Sequence, residues 1–213
     1  GNQYALFRQP RFHTAFAFAS HASAANHGPA HLWLDGAGTL ILSRNGAGTC
    51  WETVLASGGR LGGDEGTGKA LALARVREGR GGHEVLVRYP QWGFSKTYVV
   101  RPEGIDVQIS ARQAADGRAL HERVPLLLRG TDVLRLDYGT CPAAGMSDRG
   151  LGVVTRTLSV ERDGRRLLTL DLGQPVSAVL RPTYAPDGSV PTEFLFVPTP
   201  QFFSRTGYRV LVG

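Results

Sequence analysis

The sequence predicts an all-β fold: a large antiparallel sandwich of two sheets spanning residues 1–213 as one domain. Three observations predict it. Short runs of alternating, β-prone residues recur along the chain, and turn residues separate them. With 28 Gly and 12 Pro in 213 residues, helices of ordinary length have little room. No repeat of propeller-blade length is present, which leaves the sandwich as the architecture for so many strands.

The elements follow in order. Residues 14–19 alternate, with Phe16 and Phe18 on one face. Segments 30–34 and 39–43 flank Asp35-Gly36-Ala37-Gly38, a hairpin signal. Residues 50–55 form the next strand. Residues 58–68 hold six glycines and read as a loop. Strands 71–77 and 83–89 flank Glu78-Gly79-Arg80-Gly81-Gly82. Strands 95–100 and 105–110 flank Pro102-Glu103-Gly104, and Ile105, Val107 and Ile109 share a face. Asp116-Gly117 marks a turn. Segment 120–128 carries Pro125, which predicts an edge strand or a bulge. Strand 133–138 precedes a loop over 140–150. Segments 153–162 and 165–172 flank Asp163-Gly164, the clearest hairpin in the chain. Strands 176–181, 192–197 and 208–212 follow, with a turn at Asp187-Gly188. The total is about 14 strands with little or no helix.

Composition narrows the function. The chain is 42% apolar and 20% charged, enough for a sizeable core and too apolar for disorder. No apolar run reaches the length of a membrane span. The start, Gly1-Asn2-Gln3-Tyr4, lacks a basic region followed by a long apolar core, and Gly1 in place of Met points to a processed chain or a piece of a longer protein. The formal charge is +6, and only Lys69 and Lys96 among the 24 basic residues are lysine. Arginine suits two-pronged recognition of carboxylate or sulfate, although an Arg-rich codon bias produces the same composition. No nucleic-acid-binding motif accompanies the charge. Cys50 and Cys141 fit either one disulfide or two thiols.

Candidate chemistry is sparse. Residues 63–70 approach the phosphate-loop pattern, but Ala70 replaces the magnesium-binding hydroxyl, and Asp64 and Glu65 would put negative charge in an anion cradle. His13, His21, His27 and His31 fall within 19 residues, where surface histidine, an acid–base role and a metal site all compete. No metal-binding signature supports the last, and no cofactor is expected. Sugar recognition on a sandwich uses aromatic rings beside polar side chains. Trp92, in Tyr89-Pro90-Gln91-Trp92-Gly93-Phe94, is the leading platform; Trp33 and Trp51 read first as core.

The run Asn26-His27-Gly28-Pro29-Ala30-His31-Leu32-Trp33-Leu34-Asp35-Gly36 resembles the start of the C-terminal β-sandwich of heparinase II/III-like polysaccharide lyases. Residues 8–18 and 96–107 are similar to other strands of that domain. The resemblance implies a domain of an exported, secreted or periplasmic bacterial carbohydrate-active protein. Its partners would be an acidic polysaccharide and an N-terminal helical domain of the same protein. By position His27 matches the first histidine of the family's motif; a complete lyase would pair His27 with Tyr89 to move protons, and Trp92, Arg88, Asn26 and His31 are the candidates for holding substrate. Pro29-Ala30 stands where the family has His-Ala-Asp, and the helical toroid has no counterpart in these residues. The expected role is therefore glycan binding or positioning. A complete lyase acting by β-elimination and a purely structural assembly domain are the alternatives.

Overall fold

A computed structural model of the chain describes residues 3–18, 27–43, 50–55, 73–79, 82–89, 94–111, 120–147, 149–182, 190–196 and 205–213. These form sixteen strands: β1 (Gln3–Arg8), β2 (Phe12–Phe18), β3 (His27–Leu34), β4 (Gly38–Leu42), β5 (Glu52–Leu55), β6 (Leu73–Gly79), β7 (Gly82–Tyr89), β8 (Phe94–Arg101), β9 (Gly104–Ala111), β10 (Leu120–Leu128), β11 (Val133–Leu136), β12 (Gly139–Pro142), β13 (Leu151–Arg162), β14 (Arg165–Pro182), β15 (Val190–Phe196) and β16 (Arg205–Val212). The helical content of the described residues is one 3-10 turn, Ala143–Gly145.

The strands build a two-layer antiparallel sandwich. One layer runs β1-β2-β3-β4-β10-β15, with β5 also on β10; the other runs β16-β9-β8-β7-β6. The long strand β14 joins them. Its residues 168–171 pair with β16 of the second layer, and residues 178–182 pair with β15 of the first. Gly173, at φ 75°, lies between the two stretches. Hairpin partner β13 follows β14 on both sides of this point, with a register break between Thr155 and Thr157. Strand β11 continues from β13, and β12 from β11.

Alternation decides what each layer buries. Strand β8 turns Phe94, Lys96, Tyr98 and Val100 inward, and β9 adds Ile105, Val107 and Ile109. Facing them are Phe12 and Phe16 of β2, Leu32 and Leu34 of β3, and Val124 and Leu126 of β10. Phe16 meets Tyr98 edge-on, with ring centroids 5.2 Å apart. Each fully buried large apolar side chain contributes about 1.5–3 kcal/mol.

The turns obey local chemistry. Asp163 and Gly164 sit at φ 51° and 73°, the left-handed pair that a two-residue hairpin turn requires. Gly104 has φ 149°, and a Cβ there would lie 2.0 Å from the Val210 carbonyl oxygen. Two local expectations are corrected. Strand β10 is not an edge, because it pairs with β15 along one side and with β5 and β4 on the other. Pro125 falls where that second side passes from β5, which ends opposite residues 120–123, to β4, which meets Leu126. The missing N–H is tolerated at this handover. The loop expected over 140–150 instead contains part of β12 and the 3-10 turn. The glycine-rich segment 58–68, the near phosphate loop, and the turns at 116–117 and 187–188 lie outside the described residues.

Candidate functional site

Strand geometry separates the residues expected to act together. Arg88 and Tyr89 are neighbours on β7 and point to opposite faces. Arg88 is exposed, whereas Tyr89 is 7% exposed and packs on Phe94 with ring centroids 5.3 Å apart. Burial, and then the field of Tyr98, pushes the Tyr89 hydroxyl far above its ordinary pKa, so it stays protonated. The backbone of His27 pairs with Phe18, and its side chain is outside the description. Asn26 and Trp92 also fall outside it. His31 is half-buried on β3, in the layer opposite β7. No disulfide joins Cys50 and Cys141. Among the described residues, no three His, Cys, Asp or Glu side chains converge as metal ligands.

The outer face of the second layer offers a coherent polar surface. Arg75 and Arg77 of β6 lie beside Leu86, Glu84 and Arg88 of β7, with Leu86 directly opposite Arg75 and Arg88 one step diagonal to it. Ser95 and Thr97 of β8 and Gln108 and Ser110 of β9 continue the same face. Arg75, Arg77, Leu86 and Arg88 line a shallow cavity of about 230 Å³. Other arginines on this face are matched by carboxylates: Arg77 with Glu84 at 2.6 Å, Arg101 with Asp106 at 2.9 Å, and Arg209 with Asp171. Arg75 and Arg88 have no carboxylate partner among the described residues. Arg75 and Arg88 are diagonal neighbours on this face, and no carboxylate of the described residues matches their charge.

The outer face of the first layer is more apolar. Tyr4, Leu6 and Arg8 of β1 lie opposite Ala17, Ala15 and His13 of β2. His31 and Trp33 of β3 extend this face. Trp33 is half-buried here, not in the core, and its ring lies 5.1 Å from that of His13. Trp51 does occupy the core expected for it. Burial, reinforced by His13, lowers the pKa of His31, and burial lowers that of His121. The unfolded chain takes up these protons near the ordinary 6.5, whereas the folded chain resists them. Their contribution to stability is complete above that value and is lost as pH falls through the lower folded pKa. The denaturant midpoint should fall between about pH 7 and about pH 5, and less steeply in a His31→Gln/His121→Gln variant. Identical pH slopes for the two proteins would contradict this.

Between the layers lies a buried polar network. Lys96 Nζ of β8 donates to Glu122 Oε1 of β10. Tyr208 of β16 donates its hydroxyl to the same oxygen at 2.8 Å, and Thr53 of β5 donates to Oε2 at 2.6 Å. Trp51 Nε1–H donates to the Tyr208 hydroxyl oxygen. Lys96 also stands 5.1 Å over the Tyr98 ring. Lys96 is 1% exposed and Glu122 0%. The sequence carried a signal for this network: Lys96 is a lone charge at an inward position of an alternating strand, and one of only two lysines. The clustering of Arg75 with Arg88 had no such signal, because it depends on the β6–β7 register.

The chain matches no protein-family model and no curated protein sequence. No helix among the described residues is long and apolar enough to cross a membrane.

Proposed function

We propose that this sandwich binds an acidic polysaccharide through the outer face of β6–β9, in the manner of an accessory domain of a carbohydrate-active protein. The observation that carries the reading is the pair Arg75 and Arg88, which line a shallow cavity and have no carboxylate partner among the described residues. Guanidinium forks hold carboxylate or sulfate groups by paired hydrogen bonds. The neighbouring hydroxyl and amide side chains are the partners sugar hydroxyls use, and the net charge of +6 favours approach of a polyanion. The resemblance to the heparinase II/III-like lyase sandwich agrees with this ligand class. Burial of Tyr89 supports binding over β-elimination, which requires a base within hydrogen-bond reach of the proton beside the uronate carboxylate. An exported setting fits such a ligand.

Affinity electrophoresis through acidic and neutral polysaccharides tests the proposal. Retardation by an acidic polymer, weakening with added salt, is the expected result. Hydrogen bonds to charged groups contribute about 1.5–3 kcal/mol each. Arg75→Ala/Arg88→Ala should therefore weaken binding at least about tenfold, with the thermal midpoint nearly unchanged. Undiminished retardation of the double variant would rule out this face. Unsaturated uronide in the lane would turn the reading towards a lyase.

A second reading, an assembly domain, rests on a different observation. Tyr4 and Leu6 on the edge strand β1 are 64% and 79% exposed, beside a groove of about 360 Å³ lined by Tyr4, Ala5, Phe18, Ala74 and Val76. Self-association abolished by Leu6→Lys, without glycan binding, would favour it.

A further inference from the structure

We propose that Lys96 and Glu122 condense inside the folded sandwich to form an intramolecular isopeptide bond joining its two layers. The two groups are already in contact, with Lys96 Nζ hydrogen-bonded to Glu122 Oε1. They are sealed from solvent, so hydrolysis has no ready supply of water.

The remaining side chains supply what acyl transfer needs. A proton first passes from Lys96 Nζ to Glu122 Oε1. The nitrogen lone pair then attacks the Glu122 carboxyl carbon, and negative charge develops on Oε2. Thr53 Oγ1 donates to that oxygen at 2.6 Å and stabilises the charge. Oε1 must leave as water, which needs a second proton, given up by the attacking nitrogen. The Tyr208 hydroxyl, hydrogen-bonded to Oε1 at 2.8 Å, relays it and is itself held by the Trp51 indole N–H. Burial, and then Glu122, pushes the Tyr208 hydroxyl well above its ordinary pKa, so it remains a donor. One N–C bond forms, one C–O bond breaks and one water is released. No oxidant or co-reactant is required. Only lysine could fill this role among basic residues of this site, because a guanidinium is not a nucleophile at neutral pH.

The bond would tie β8 of one layer to β10 of the other. Intact mass spectrometry of the denatured wild-type chain is the test. The expected mass is that of the sequence less one water. Proteolysis should yield a branched peptide containing residues 96 and 122. Lys96→Arg and Glu122→Ala chains should have their full sequence masses, and Thr53→Val, which keeps both reacting groups, should contain a smaller linked fraction. Wild-type protein that is folded by circular dichroism, runs at full sequence mass and has Lys96 open to acetylation after denaturation would overturn the proposal. This outcome is independent of the glycan experiment, since no residue is shared.

Discussion

Replacing Lys96 with methionine lowers the unfolding free energy by about 3–5 kcal/mol, because it leaves the Glu122 carboxylate buried without its cation. Glu122 is 0% exposed, and the hydroxyls of Thr53 and Tyr208 remain as its donors without a compensating charge. Urea titration of the two proteins measures the difference. The pair variant Lys96→Met/Glu122→Leu should be more stable than Lys96→Met, since removing both charges avoids the orphan. A covalent tie between the two residues would enlarge the single-variant loss. A wild-type-like midpoint for Lys96→Met would mean that the ion pair does not hold the layers together.

Arg162→Leu should cost a similar amount, about 3–5 kcal/mol, at a second buried pair. Arg162 Nε and Nη2 donate to the two oxygens of Asp132 at 2.6 and 2.8 Å, and Nη1 donates to the Ala37 carbonyl at 2.7 Å. One side chain therefore fastens the end of β13 to the residue before β11 and to the β3–β4 turn. Asp132 is 0% exposed and would be left with the Arg129 N–H, 2.8 Å away, as a donor. Arg162→Lys should recover little, because an ammonium cannot span both carboxylate oxygens and a carbonyl in the guanidinium geometry. Thermal unfolding of the three proteins decides the matter; recovery by lysine would show that charge alone suffices.

Local pattern carried most of the fold. The Asp163-Gly164 turn and the inward row Ile105, Val107 and Ile109 were legible because each depends on neighbours in the chain. Pro125 misled because proline reports a missing N–H without saying whether an edge or a change of partner accommodates it. Trp33 looked like core by size, yet strand parity set it outside Leu32 and Leu34. The candidate site was less legible still. Arg88 was singled out, but Arg75 becomes its neighbour only through the β6–β7 register, and the Lys96–Glu122 contact needs two strands from opposite layers. Such juxtapositions arise from tertiary packing, which no single segment encodes.

The passage of β14 from one layer to the other has a consequence for how the chain folds. Neither half of the sandwich can complete its hydrogen-bond ladder without a strand that the other half also requires. The two layers therefore do not form separate foldons, and partial unfolding that releases one exposes a ladder edge of the other. The connection between β10 and β15, and that between β9 and β16, each spans a long stretch of sequence. Such high contact order makes folding slow, because loop-closure entropy is spent before those pairings form. Once assembled, the same closure makes loss of structure a single cooperative event.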